Sequence, residues 1–284
     1  MPTRPTSPAY SPWWLRHPLF CYFALTLFLS WLGAFLVAAP HLLHQQPLPN
    51  LTGILMFPAM LLGPSLTGVL LTRLINGPAG LRDLFSRMRR FRVPARWYVA
   101  LLIPPVFVLS ILALLKTFVS PVYAPNRFWL GLAFGIPAGF FEEIGWTGFA
   151  FPTMCRKLPP FQSALLLGLF WGLWHIPVIN FLGTAVPHGA YWLHFFLAFA
   201  AAMTAMRVLI SWLYLQTRSV FLAQLMHACS TGSLVVFSPP AANAPQEAFW
   251  YAAYAAALWL LVAALLLSEP AFSAISSRAL IKNP

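Results

Sequence analysis

Eight apolar runs, most of them long enough to cross a lipid bilayer, follow one another along a chain of 284 residues. A helix needs about 20 apolar residues to span the hydrocarbon core. The runs cover about 19–39, 51–75, 98–119, 128–152, 161–183, 190–216, 219–237 and 247–268. Proline-rich or polar breaks separate most of them, at Gln45 to Asn50, Pro159-Pro160, Pro187-His188-Gly189 and Pro239 to Pro245. The expected fold is all-α, a polytopic transmembrane helical bundle of about eight spans. With 60% hydrophobic and 8% charged residues, the chain has no surface to keep it in water, where about a quarter would be charged. The first run is too long for a signal-peptide core and reads as a retained anchor.

Seventeen Lys and Arg stand against five acids, a net charge of +12. A nucleic-acid partner is not expected, because the basic residues cluster between apolar runs and not on one polar domain. Arg73, Arg82, Arg87, Arg89, Arg90, Arg92 and Arg96 follow or end the second run; Arg156 and Lys157 follow the fourth, Arg218 the sixth, Arg278 and Lys282 the eighth. The loops near 40–50, 184–189 and 238–246 carry neither Lys nor Arg, and only Lys116 and Arg127 break the alternation. By the positive-inside rule both termini are expected to be cytoplasmic, in a multi-pass protein of a bacterial cytoplasmic membrane. Topology alone accounts for the arginine-rich loop; contact with anionic lipid heads is the other reading. Cys21, Cys155 and Cys229 form neither a disulfide framework nor a CxxC knuckle.

Asp83, Glu247 and Glu269 lie in loops or at helix ends. Glu142 and Glu143 instead sit side by side within an apolar stretch. Each charge at a helix centre costs about 2.5–3.5 kcal/mol on insertion scales, so two adjacent carboxyls call for protonation, pairing or a function. A helix–helix polar clamp is the plain structural alternative. Neighbouring residues diverge by about 100° around a helix, so Glu142 shares a face with Trp146 and Glu143 with Thr147. His175 and His227 also lie inside apolar runs, where a lone histidine is commonly an interhelical hydrogen-bonding group. At about 1.5 Å of rise per residue, the glutamates lie roughly 15 Å, His227 roughly 12 Å and His175 roughly 21 Å from the cytoplasmic ends of their helices. Three helices thus carry polar groups into one slab of the bilayer. His17, His41, His44, His188 and His194 lie in flanks, loops or an aromatic belt.

At these residues the sequence resembles the CAAX-protease and bacteriocin-processing (CPBP, or ABI) family of intramembrane peptidases. Its first motif, two glutamates followed after three residues by arginine, reads here Glu142-Glu143-Ile144-Gly145-Trp146-Thr147; its second, Phe-x-x-x-His, reads Trp171-Gly172-Leu173-Trp174-His175; its third, His-x-x-x-Asn, reads His227-Ala228-Cys229-Ser230-Thr231. The resemblance covers about 128–237, expected as a catalytic core between an N-terminal part (1–127) and a C-terminal helix and tail (238–284). It implies an endopeptidase in which Glu142, with His175, activates a water while His227 and Thr231 stabilise the oxyanion. Peptides or membrane proteins would be substrates: a prenylated CAAX peptide, a bacteriocin leader and an unrelated membrane protein are all compatible. A metal-free mechanism is favoured, with zinc on Glu142, His175 and His227 as the alternative.

Three departures stand out. Trp171 for Phe reads as a packing change. Thr231 for Asn shortens a donor, and Thr147 for Arg removes the cation expected beside Glu143. Arg207, about ten residues or roughly 15 Å inside the sixth run, lies at the right depth to supply that charge from another helix; the alternative is that it snorkels to the interface. The departures keep open a catalytically impaired relative that binds without cutting. A proton-coupled transporter is a third reading, weakened by the lack of inverted repeats.

Overall fold

The computed structural model describes residues 12–44, 50–181, 188–270 and 272, and among them the regular structure is entirely helical. Helix α1 spans Pro18–Leu43 and α2 Asn50–Met88, with α3 at Ile103–Phe118 and α4 at Leu132–Gly145. The chain continues through a π-helical turn, Trp146–Ala150, into Phe151–Met154. Then come α5 (Pro160–Trp174), α6 (Ile176–Phe181), α7 (Trp192–Thr217), α8 (Val220–Phe237) and α9 (Ala244–Ser268).

Among the described residues, six helices are long and apolar enough to cross a membrane. The expected fourth and fifth runs are helical too, but interrupted, and the interruptions flank the polar residues. Pro152 has no N–H to offer the carbonyl of Gly148, and the helix widens there into the π turn. Pro177 cannot continue the ladder of α5, which ends with His175 as its C-cap before α6 begins. The arginine-rich segment departs from expectation, being largely helical. Beyond a break at Gly77 (φ 64°), a left-handed conformation that glycine accepts without steric cost, α2 resumes to Met88. Leu84, fully buried, anchors that extension.

The centre of the bundle is α7, buried at every residue from Ala202 to Ser211. Helices α5 and α9 pack on it, while α4 packs on α8 and α2. The α4–α8 contact is made by small residues. A Cβ on Gly135 would lie 2.6 Å from the Gly232 nitrogen, and one on Gly139 2.6 Å from the Ala228 nitrogen. Lipid offers no hydrophobic drive between helices, so backbones that approach this closely gain dispersion contacts instead. Gly139→Val is therefore expected to wedge α4 from α8 and cost about 1–3 kcal/mol, read as a lower unfolding midpoint in detergent.

His188 is not the bland loop residue its position suggested. It is buried, its Nε2 lies 2.9 Å from Glu247 Oε2, and its ring stacks on Phe195 at 3.9 Å. Glu247 stands in the first turn of α9, where a helix N-terminus favours a carboxylate.

Candidate active site

The close α4–α8 contact sets the distance between the first glutamate pair and the histidine of α8. Glu143, fully buried, is held from α7, from α8 and from the π turn that follows its own helix. Its Oε1 accepts from Arg207 Nη2 at 2.7 Å and lies 2.7 Å from His227 Nδ1; its Oε2 accepts from Arg207 Nη1 at 2.8 Å and from the Thr147 hydroxyl. Arg207 therefore grips the carboxylate with both arms of its guanidinium, the geometry that makes arginine the preferred partner of a buried carboxylate. It is 0% exposed, so the snorkelling alternative does not apply. The cation missing at position 147 arrives from α7 instead, and Thr147 fills the vacated place with a hydroxyl donor to the same oxygen.

Glu142 faces another set of donors. Its Oε2 accepts from Trp171 Nε1 at 2.8 Å and from Trp146 Nε1 at 3.3 Å. Trp171 is thus more than the packing change it resembled, because its indole N–H does what phenylalanine cannot. The same indole carries the Arg207 guanidinium over its face, with Cζ 4.4 Å from the ring centroid. This cation–π contact is strongest when desolvated. One tryptophan thereby orients Glu142 by its edge and the cation of Glu143 by its face.

Glu142 Oε1 and His227 Nε2 remain, 3.9 Å apart. That is too long for a hydrogen bond, and the buried Nε2 has no protein partner. In a neutral ring, a proton on Nδ1 facing the carboxylate leaves a lone pair on Nε2. The free carboxyl oxygen of Glu142 and this ring nitrogen therefore face one gap, with the Glu143–Arg207 ion pair behind them.

The remaining expected site residues stand farther out. The Nδ1–H of His175 donates to its own helix, to the Trp171 carbonyl at 2.6 Å. Its ring sits among Trp171, Trp174 and Phe199, at 5.3, 4.8 and 5.2 Å between centroids. Trp171 also lies edge-on to His227, 4.9 Å between centroids, so one indole touches both histidine rings. Thr231 is half-buried one turn beyond His227, and no hydrogen bond joins it to the carboxylates among the described residues. The zinc set of Glu142, His175 and His227 is not assembled: no three His, Cys, Asp or Glu side chains are disposed to hold a metal among the described residues. Both oxygens of Glu143 are already committed to a guanidinium and an imidazole. Sequence reasoning missed the indole donors Trp146 and Trp171, although the four-residue spacing from Glu142 to Trp146 hinted at the first.

Taken together, these contacts define a polytopic helical membrane protein with a buried cluster of two carboxyls, an imidazole and a guanidinium on α4, α7 and α8, braced by an indole of α5. Residues 124–232 match the Rce1-like family model, described as type II CAAX prenyl endopeptidase Rce1-like. Over 96 residues the chain is 35% identical to CAAX prenyl protease 2 of Methanococcus maripaludis, a stretch covering 32% of this chain and 34% of that protein. The chain thus spans about a third of the length of the curated relative it matches. With the three motifs in order, residues 124–232 are similar to the CAAX-protease (CPBP) family.

Proposed function

We propose that this protein is an intramembrane endopeptidase of the CAAX prenyl protease kind, and that Glu142 activates the attacking water. The observation that carries this reading is the 3.9 Å gap between Glu142 Oε1 and His227 Nε2. A water about 2.8 Å from each donates one O–H to the carboxylate and the other to the imidazole, leaving its lone pairs for a peptide carbonyl. As the water oxygen bonds to the carbonyl carbon, its proton passes to Glu142. The carbonyl becomes an oxyanion, the C–N bond then breaks, and Glu142 returns the proton to the departing amine. Thr231 stands one turn along α8 as a hydroxyl donor towards the oxyanion. Glu143 and Arg207 touch no reacting atom; they hold the His227 tautomer and keep the pocket electrically balanced. That balance favours an active enzyme over the impaired relative, because the charge lost at position 147 is present on α7.

Reconstituted in vesicles, the protein is expected to cleave a prenylated C-terminal peptide. A folded preparation that leaves such peptides whole overturns the proposal. His175→Ala separates two versions of the mechanism. With the His175 ring against Trp171, which donates to Glu142, the rate should fall about tenfold, about 1.4 kcal/mol on the barrier. A loss as deep as that from altering Glu142 would instead put His175 on the reacting water.

A further inference from the structure

A cavity of about 400 Å³ opens at the arginine-rich end of the bundle, between the helical extension of α2, the π turn after α4 and the end of α7. Its lining carries Arg87, Arg90, Arg156 and Arg218 against a single acid, Asp83.

The fold goes out of its way to gather these arginines. Arg218 has φ 52°, the sole positive φ at a non-glycine among the described residues, in a helix-ending position that glycine occupies without steric cost. The Ser219 hydroxyl donates to the Arg90 carbonyl at 2.5 Å, which ties the end of α2 to the α7–α8 turn. Arg87 reaches across the floor, donating to Asp83 at 2.8 Å, to the Tyr214 hydroxyl at 2.9 Å and to the Gly148 carbonyl at 3.1 Å. The last is the carbonyl that Pro152 cannot serve.

We infer that this cavity binds the phosphate of an anionic phospholipid head group. A carboxylate brings one charge and two oxygens, enough for one arginine fork; a phosphate brings more acceptor oxygens and meets several forks at once. The level within the bilayer fits a head group. Arg218 follows the last residue of α7 and Arg156 follows the helix ending at Met154. Trp212, two residues before the lining Tyr214, packs edge-on to Trp97 at 5.5 Å between centroids, as tryptophans do at the membrane–water interface.

The test uses the full chain in nanodiscs of zwitterionic phosphatidylcholine, titrated with phosphatidylglycerol, with bound lipid counted by native mass spectrometry. Phosphatidylglycerol should be retained in preference to phosphatidylcholine. Its apparent affinity should fall about tenfold in Arg90→Gln/Arg156→Gln, but not in the control Arg127→Gln. Arg218→Gly relaxes the backbone and should keep the fold intact while still weakening retention. Equal retention in the cavity variants and the control overturns the inference. Inorganic phosphate that binds the cavity in discs showing no lipid preference assigns the site to the free ion and overturns the head-group source. An acidic peptide that displaces phosphatidylglycerol where inorganic phosphate does not gives the cavity to a peptide carboxylate and overturns it as well.

Discussion

Glu142→Gln is expected to slow peptide cleavage by about 10²- to 10⁴-fold, the range that a positioned general acid–base contributes, while the unfolding midpoint stays near that of the unaltered protein. The geometry explains why the two effects separate. Both indole donors, Trp171 and Trp146, converge on Oε2 of Glu142, and the oxygen of a glutamine amide can accept from both. The lost oxygen is Oε1, the one 3.9 Å from His227 Nε2, and an amide nitrogen there cannot take a proton from water. A purified, folded Glu142→Gln protein that cleaves its peptide at a tenth of the normal rate or better would remove Glu142 from the reaction.

Arg207→Met should act on the fold first. It strips the fully buried Glu143 of both guanidinium arms and leaves a carboxylate with only Thr147 and His227 beside it. Breaking a buried pair from one side costs about 3–5 kcal/mol, whereas replacing both partners with uncharged groups is often nearly neutral. Arg207→Met should therefore yield little folded protein, and Arg207→Met/Glu143→Gln should recover most of the lost stability. Activity should not return with it, because the carboxylate that fixes the proton on His227 Nδ1 is gone. Unfolding midpoints of the two variants, with cleavage rates of the double one, make the comparison. A single Arg207→Met protein as stable as the original would show that the pair is not holding α7 to α4. A double variant with full activity would show that it does not organise the histidine.

Much of this architecture was legible because the bilayer is a strict solvent. A backbone in hydrocarbon must satisfy its own hydrogen bonds, so apolar runs of about 20 residues translate directly into helices. What the runs concealed was where helices continue beyond the apolar stretch. The segment after Arg73 is polar enough to read as a loop, yet Leu81, Leu84 and Met88 repeat at helical spacing, and α2 continues through them. His188 hid for a similar reason. Its neighbours are turn-formers, and its partner Glu247 lies 59 residues away.

The sequence by itself determined that the chain is a bundle of membrane helices, that two carboxyls sit deep within it, and that His227 and Arg207 lie at a matching depth. Depth is a one-dimensional quantity, counted along each helix at a fixed rise, so it survives without knowledge of how helices are arranged. Only the tertiary structure decided which helices touch and which faces they turn to one another. Glycines 135 and 139 bring α4 against α8, and the rotation of α7 aims Arg207 at Glu143. One indole touches both histidine rings, and His227 lies against the carboxylates. Azimuth and neighbour choice arise from packing between distant segments, and no local pattern along the chain encodes them.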